Sequence, residues 1–289
     1  MTSKTLRLHM PQWQGGNLEA YHIGSKLLSW LLPKATGPEE TVPIASPEGQ
    51  LVLVDGMLGK PALLEQARAA RKAIERHNPD RILTIGGDCL VDLAPIAWLN
   101  QREGGNLGVL WIDAHPDVQT SSETDQGNAQ VLGMLLGRGD PDFVGEVAVP
   151  LQPTNVLYIG LDAWSDAEQA VLEGLSLARL GADEVNPDAV RDWIASRGIS
   201  RLAVHFDVDA LAPASFRPML FNKPDAGLDF LSGVPRGSLT PDRVIDLLRC
   251  AGEMAEIVGL AITEYISWDA IQTRELLRKL PLLEDDHTN

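Results

Sequence analysis

GVLWIDAHPD, residues 108–117, is the stretch on which the fold turns. Five uncharged residues run directly into Asp-X-His-X-Asp. The run is short and apolar throughout, with Val109, Trp111 and Ile112 supplying β-branched and aromatic side chains. That pattern predicts a strand buried on both faces, as in a parallel sheet covered by helices. If the backbone stays extended, residues at i, i+2 and i+4 point the same way. Asp113, His115 and Asp117 would then converge at the carboxyl end of the strand, the edge at which open parallel sheets hold ligands.

Residues 201–209 (RLAVHFDVD) repeat the arrangement: an apolar strand ends in Asp-X-Asp, with Asp207 and Asp209 on one face. Comparable apolar runs stand at 81–85 (RILTI), 155–160 (NVLYIG) and 257–263 (IVGLAIT). Between them lie segments of helical period at 61–77, 187–197 and 241–253, each opening with a proline. Thr240-Pro241-Asp242 reads as an N-cap followed by a first-turn proline and acid. The alternation of strand and helix predicts a parallel α/β sandwich. With no break in composition, residues 1–289 are read as one domain. Residues 213–237, rich in proline and glycine, read as a long loop, and 284–289 as a polar tail.

The formal charge of −16 argues against nucleic-acid binding through a broad basic face and against an anionic membrane surface. It suits metal ions and cationic substrates. No run is long and apolar enough to span a bilayer, and MTSKTLRLHMPQW lacks the apolar core of a signal peptide. Cys89 and Cys250 make no disulfide framework. A cytoplasmic protein is expected.

Asp113, His115, Asp117, Asp207 and Asp209, brought to one place, need a cation, because unpaired carboxylates repel and take up protons. Oxygen-rich sets with an imidazole suit Mn²⁺ or a similar ion. Two ions about 3.5–4 Å apart can hold a hydroxide that attacks carbon or phosphorus. An Asp at a strand end is also an ordinary N-cap or turn residue, and either motif alone reads as easily that way. Both motifs together, each directly after an apolar strand, favour a metal site. There is no Gly-X-Gly-X-X-Gly or Walker-type loop and no placeable nucleophile elbow. Cys89 and His115 can be drawn as a dyad, but surrounding carboxylates would hold the thiol protonated.

The chain resembles the arginase/agmatinase (ureohydrolase) family through GGDC at 86–89, DAHPD at 113–117, FDVDALAP at 206–213 and Glu264 in AITEY, in order and spacing over roughly residues 80–280. The resemblance implies a three-layer α/β/α sandwich with a mostly parallel central sheet. It implies two divalent ions, Mn²⁺ first, with Asp113 and Asp207 touching both, Asp117 on one, and His115 and Asp209 on the other. It also implies a homo-oligomer, trimer or hexamer, and a guanidino or amidino substrate whose cation pairs with Glu264. Within that scheme Asp209 is the candidate proton acceptor.

The departures bear on function. Cys89 stands where the family has a His metal ligand, so a thiolate there would turn the site toward Zn²⁺, Fe²⁺, Co²⁺ or Ni²⁺. Gln130 stands where the family has a proton-shuttling His, and glutamine cannot shuttle a proton at neutral pH. Ala212-Pro213 replaces Asp-Pro, Gln119 replaces an Asn, and residues 160–165 replace an Arg-containing turn; Glu168 matches an acid near the substrate amine. Gln119, Gln130, Glu168 and Glu264 are the expected substrate contacts. L-arginine is therefore a doubtful substrate. A one-ion amide hydrolase resembling deacetylases, or an inactive sensor or partner subunit, stand as alternatives. His205 reads as a core or supporting histidine rather than a ligand. Asp88 reads as a cap, Asp92 as facing the site or solvated, Trp164 and Trp268 as pocket walls, and Cys250 as a buried small residue.

Overall fold

A computed structural model of the chain describes residues 4–224 and 232–277. Its strands are β1 Thr5–Met10, β2 Glu39–Thr41, β3 Leu53–Val54, β4 Met57–Leu58, β5 Arg81–Gly86, β6 Gly108–Ile112, β7 Val156–Ile159, β8 Ala178–Leu180, β9 Arg201–Asp207 and β10 Glu256–Thr263. Eight of them form one sheet in the order β2-β1-β5-β10-β9-β6-β7-β8, and β3 and β4 make a separate hairpin. Every pairing in the large sheet is parallel.

Neighbouring residues of one strand divide between two cores. Val109 and Trp111 of β6 join Leu6, Leu8, Ile82 and Tyr158. Leu110 and Ile112 join Leu157, Leu202 and Val204 on the opposite side. That split is why the strand sequences are apolar at every position rather than at alternate ones. Each such Leu or Ile, fully removed from water, contributes about 1.5–3 kcal/mol.

The helices are α1 Ala20–Leu31, α2 Lys60–His77, α3 Leu93–Arg102, α4 Val131–Leu135, α5 Pro141–Val144, α6 Asp166–Gly174, α7 Pro187–Arg197, α8 Pro241–Met254 and α9 Trp268–Leu277. Residues of α2 to α6 fill the first core, those of α7 and α8 the second, and Tyr21 of α1 meets Ile271 of α9 in a third, smaller cluster. The structure is thus the expected α/β/α sandwich, with a sheet parallel throughout its described strands. The cap signals hold at atomic level: Thr240 accepts from the Arg243 amide at 3.4 Å, and Asn186 from the Ala189 amide at 2.9 Å. Helix α7 ends on Gly198 at φ 64°, a left-handed position that glycine takes without strain.

The short edge strands β2 and β8 and the N-terminal strand β1 carry no strong sequence signal, and they extend the sheet beyond the five expected strands. The polar tail 284–289 and residues 225–231 of the long loop lie outside the described residues. No helix among the described residues is long and apolar enough to cross a membrane.

The topology places the chemistry. From β5 the chain skips to β6 and builds outward through β7 and β8, then returns so that β9 and β10 fill the gap. The carboxyl ends of β5, β10, β9 and β6 therefore stand side by side at the centre of the sheet, the crevice where such sheets hold ligands.

Candidate metal centre

The loop after β5 is set by its glycines. A Cβ on Gly87 would sit 1.6 Å from the Gln12 carbonyl oxygen, so the position admits no side chain. Through its backbone, Gly87 donates to Met10 and accepts from the Glu264 amide, at 2.9 and 2.7 Å, joining the ends of β1 and β10. Asp88 caps the following turn, accepting from the Leu90 amide at 3.1 Å and from the Gly15 amide at 2.9 Å. Cys89 is thereby turned inward, 2% exposed. Its Sγ lies 3.0 Å from Asp207 Oδ2 and 3.5 Å from Glu264 Oε1. Burial, then the charges of Glu264 and Asp207, push its thiol well above the usual range. A protonated, enclosed thiol is no free nucleophile.

At the ends of β6 and β9 the turn reading and the ligand reading of aspartate both apply, one oxygen to each. Asp113 Oδ1 accepts from the His115 amide and Asp207 Oδ1 from the Asp209 amide, both at 2.7 Å. Their other oxygens stay inside the site: Asp207 Oδ2 faces the Cys89 sulfur, and Asp113 Oδ2 is buried with no hydrogen-bond partner. Asp117 arrives by a left-handed backbone, φ 52°, not by the extended backbone that the i, i+2, i+4 reading assumed. His115 Nδ1 stands 3.3 Å from both Asp113 Oδ1 and Asp209 Oδ2.

Donor atoms of Asp113, His115 and Asp209 lie within 4.8 Å of one another, as do those of Cys89, Asp207 and Glu264, and those of Cys89, Asp113, Asp117 and His205. The buried Asp117 Oδ2, Asp209 Oδ1 and His205 Nε2 are also without partners. Burial raises the carboxyls of Asp117, Asp207 and Asp209 above their ordinary range, with Asp113 or one another adding to it. Asp113 alone is held well below that range: burial opposes its charge, but the neighbouring imidazoles of His115 and His205 prevail. Buried oxygen, nitrogen and sulfur donors converging in this way, several of the oxygens and nitrogens without a partner, fit divalent cations.

Above this floor opens a cavity of about 750 Å³, lined by Cys89, His115, Asp117, Asp207, Asp209 and Glu264 below, and by Leu18, Trp164 and Phe221 among its apolar walls. Glu264 occupies a left-handed position, φ 60°, directly after β10. Tyr21 donates to its Oε2 at 2.5 Å and Asn128 Nδ2 to its Oε1 at 2.9 Å. Burial, then repulsion from Asp209, lifts its carboxyl to about 7 against the hydrogen bonds from Tyr21 and Asn128.

Of the expected substrate contacts, Gln119 and Glu264 line the cavity. Glu168 does too, but its Oε2 receives both the Ser165 amide and the Ser165 hydroxyl, at 2.7 and 2.8 Å, in the capping box of α6. Gln130 is not among the lining residues: it is wholly buried, and its Nε2 donates to the carbonyls of Thr124 and Gln126, each at 3.2 Å. It is a brace for the loop, not a substrate contact. Trp164 lines the cavity, whereas Trp268 lies outside it and donates to the Met219 carbonyl. Cys250 is buried, with its Sγ 3.3 Å from the Pro187 carbonyl oxygen.

Two partnerships escape sequence reading. Tyr21 and Glu264 are 243 positions apart, and nothing local links them. Asp92, read from the sequence as facing the site or solvated, is 2% exposed, and His205 Nδ1 meets its Oδ2 at 2.8 Å. Burial lowers the pKa of His205, but the neighbouring carboxylates of Asp113 and Asp92 outweigh it and lift it to about 9.

The family model described as the arginase family matches residues 43–218 of the chain. An arginase of Staphylococcus aureus (strain MRSA252) is 26% identical over 141 residues, 45% of this chain and 46% of the relative. Human arginase-1 is 30% identical over 181 residues, 57% of this chain and 55% of the relative. The aligned part thus spans about half the length of these curated relatives. Among solved structures, Entamoeba histolytica arginase in complex with L-ornithine superposes with a TM-score of 0.77 at 19% identity, covering 91% of this chain and 92% of that one. That likeness establishes the fold.

Proposed function

We propose that this chain, which belongs to the arginase family, is a metal-dependent hydrolase of a linear C–N bond in a guanidino or amidino compound. The observation that carries the reading is the convergence of Asp113, His115, Asp117, Asp207 and Asp209, four of them carboxylates, beneath a cavity that also exposes Glu264. Asp113, His115 and Asp209 would hold one ion, and Cys89, Asp113 and Asp117 the other, with Asp207 beside both. Mn²⁺ is the first candidate, and the Cys89 sulfur admits Zn²⁺, Fe²⁺, Co²⁺ or Ni²⁺. When bound, two divalent cations supply Lewis acidity and an activated water nucleophile.

The remaining work falls to the chain. Glu264 is fixed by Tyr21 and Asn128 at one oxygen each, so its carboxylate presents a defined edge to a planar cation. Each of those oxygens keeps a lone pair for a guanidinium N–H. Asp209 Oδ1, buried and unpartnered, is placed to accept the proton released as water adds, and to return it to the leaving amine. Trp164, Phe221 and Leu18 give the cavity apolar walls, which lowers the local dielectric and strengthens the charge pairing on the floor. With Gln130 braced on backbone carbonyls, no residue at that position relays the proton.

Elemental analysis of the purified protein, joined to urea release from a panel of guanidino compounds, tests this. Two ions per chain and urea from at least one compound are expected. One ion per chain would favour an amide hydrolase of the one-ion kind. No ion after reconstitution with Mn²⁺, Zn²⁺ and Ni²⁺ would sink both and leave a non-catalytic role.

A further inference from the structure

His205 is a buried histidine to which the proposed function gives no role. It lies two positions before Asp207 on β9 and shares the face of the sheet that points into the first core. Three neighbours fix its ring. The register of β6 and β9 sets Trp111 directly opposite, and the rings stack with centroids 3.8 Å apart and planes 10° from parallel. On the other side β10 presents only Ala261, which leaves the imidazole its space. Asp92 Oδ2 meets Nδ1 at 2.8 Å. The ring is wholly enclosed, yet Nε2 has no hydrogen-bond partner. It aims at Asp113 Oδ2, itself unpartnered, 3.6 Å away. Nε2, Cys89 Sγ and one oxygen each of Asp113 and Asp117 lie within 4.8 Å of one another.

We propose that His205 is a metal ligand through Nε2, completing with Cys89, Asp113 and Asp117 a first-ion shell of sulfur, nitrogen and two oxygens. The proposal rests on the metal-centre reading above and extends it to a residue the Asp-X-His-X-Asp and Asp-X-Asp motifs do not include. Asp92 is the positioning residue: its carboxylate accepts a hydrogen bond from Nδ1–H and so leaves the Nε2 lone pair for the ion, the arrangement in which a carboxylate orients and strengthens a ligating imidazole. Asp92 closes the same short turn, Cys89–Asp92, that carries the sulfur, so one segment delivers a ligand and the support for a second. Cys89 and His205 together make this the softer of the two positions, and it should take Zn²⁺ or Co²⁺ ahead of Mn²⁺.

Cobalt supplies the test, with no substrate involved. The full-length protein, freed of metal and titrated with Co²⁺, should take two ions per chain. Binding at the first should produce a thiolate-to-cobalt charge-transfer band that vanishes in Cys89→Ser. Proton NMR of the loaded wild type should show two strongly shifted, exchangeable imidazole N–H signals, one from each of His115 and His205. His205→Asn keeps an N–H in place of Nδ1 for Asp92 but offers nothing at Nε2. It should lose one shifted signal and weaken the ion that gives the charge-transfer band by at least about 100-fold, while Asp92→Asn weakens it by about 10- to 100-fold. Should His205→Asn fail to fold, the two signals of the wild type still decide. A single shifted signal with two ions bound, or an unchanged band and affinity in a folded His205→Asn, would overturn this proposal and leave the proposed function intact. No Co²⁺ bound by the wild type would overturn both.

Discussion

Removal of divalent ions should make the stability of this protein fall as pH rises, and Glu264 sets a minimum for the slope. The side chain is buried at 5% exposure, and its carboxyl moves from an ordinary 4.5 to about 7, through burial first and then the charge of Asp209. Between those values the folded state holds a proton that the unfolded chain releases, so stability declines as pH rises, and the loss is complete above about 7. At about 1.4 kcal/mol per tenfold change in proton concentration, that interval amounts to about 3 kcal/mol. Asp117, Asp207 and Asp209, also raised, act in the same direction. His205 does as well: its pairing stabilises fully below 6.5 and is lost as pH passes about 9. Asp113 has the opposite sign, because its carboxyl is depressed; its contribution is lost only in acid, below the ordinary 3.8, outside this range. Between about pH 5.5 and about pH 8 the Glu264 contribution amounts to about 2 kcal/mol, because part of the loss falls below pH 5.5, and at about 2–4 °C per kcal/mol it lowers Tm by about 4–8 °C. Scanning calorimetry of the chelated protein at about pH 5.5 and about pH 8 measures it. Saturating Mn²⁺ or Zn²⁺ should recover stability at the higher pH, by about 2.7 kcal/mol per site at a hundredfold excess over Kd. Glu264→Gln should flatten the decline between those two pH values by about 2 kcal/mol. A chelated protein that is as stable or more stable at the higher pH would refute the reasoning.

Three further outcomes are expected. Glu264→Gln should keep its ions but lose about 10- to 100-fold in kcat/KM for a guanidino substrate, the worth of one charge-assisted hydrogen bond to the cation, read by urea release beside metal content. Cys89→His should retain or strengthen Mn²⁺ binding and lose the preference for Zn²⁺, measured by competitive titration; loss of both metal and fold would mean that Cys89 serves only as a packed core residue. Gln130→Ala should leave kcat and KM within about twofold while costing about 1–3 kcal/mol in urea unfolding, because it strips donors from two part-buried carbonyls and lies outside the cavity lining.

What the sequence made legible was whatever a single strand decides. GVLWI and RLAVHF state their own burial, because a strand covered on both faces admits no polar alternation, and the acids that follow them fall at the sheet edge by chain continuity alone. Glu264 was reachable by the same logic, one residue beyond β10. The partners of these residues were not. Tyr21, Asn128 and Asp92 reach the centre from three different segments, and only the strand order β5-β10-β9-β6 brings those segments together. Where local reasoning missed, it failed on backbone conformation. Extension was assumed through Asp117, which turns left-handed instead, and Gln130 was given a place in the cavity, whereas Thr124, Gln126, Asn128 and Ala129 of its loop line the wall and Gln130 itself is buried outside that lining.

The histidine at 205 shows why residue-type expectation and geometry can part. A histidine inside an apolar strand is ordinarily a satisfied core residue, and satisfaction requires a partner for each ring nitrogen. His205 has one at Nδ1 and none at Nε2. If the ring serves as a core residue, it must be an imidazolium wedged between Asp92 and Asp113, a cation standing in for part of the charge that five buried carboxylates demand. If it serves as a ligand, the divalent ion supplies that charge and the imidazole is neutral. The two states exclude each other at one atom, since a lone pair on Nε2 cannot bind both a proton and an ion. With His205 as a ligand, metal binding releases its proton along with that of Cys89, so ion affinity should rise steeply with pH across the range in which the metal-free protein loses stability. The same buried charge that makes the empty centre costly makes the loaded one tight.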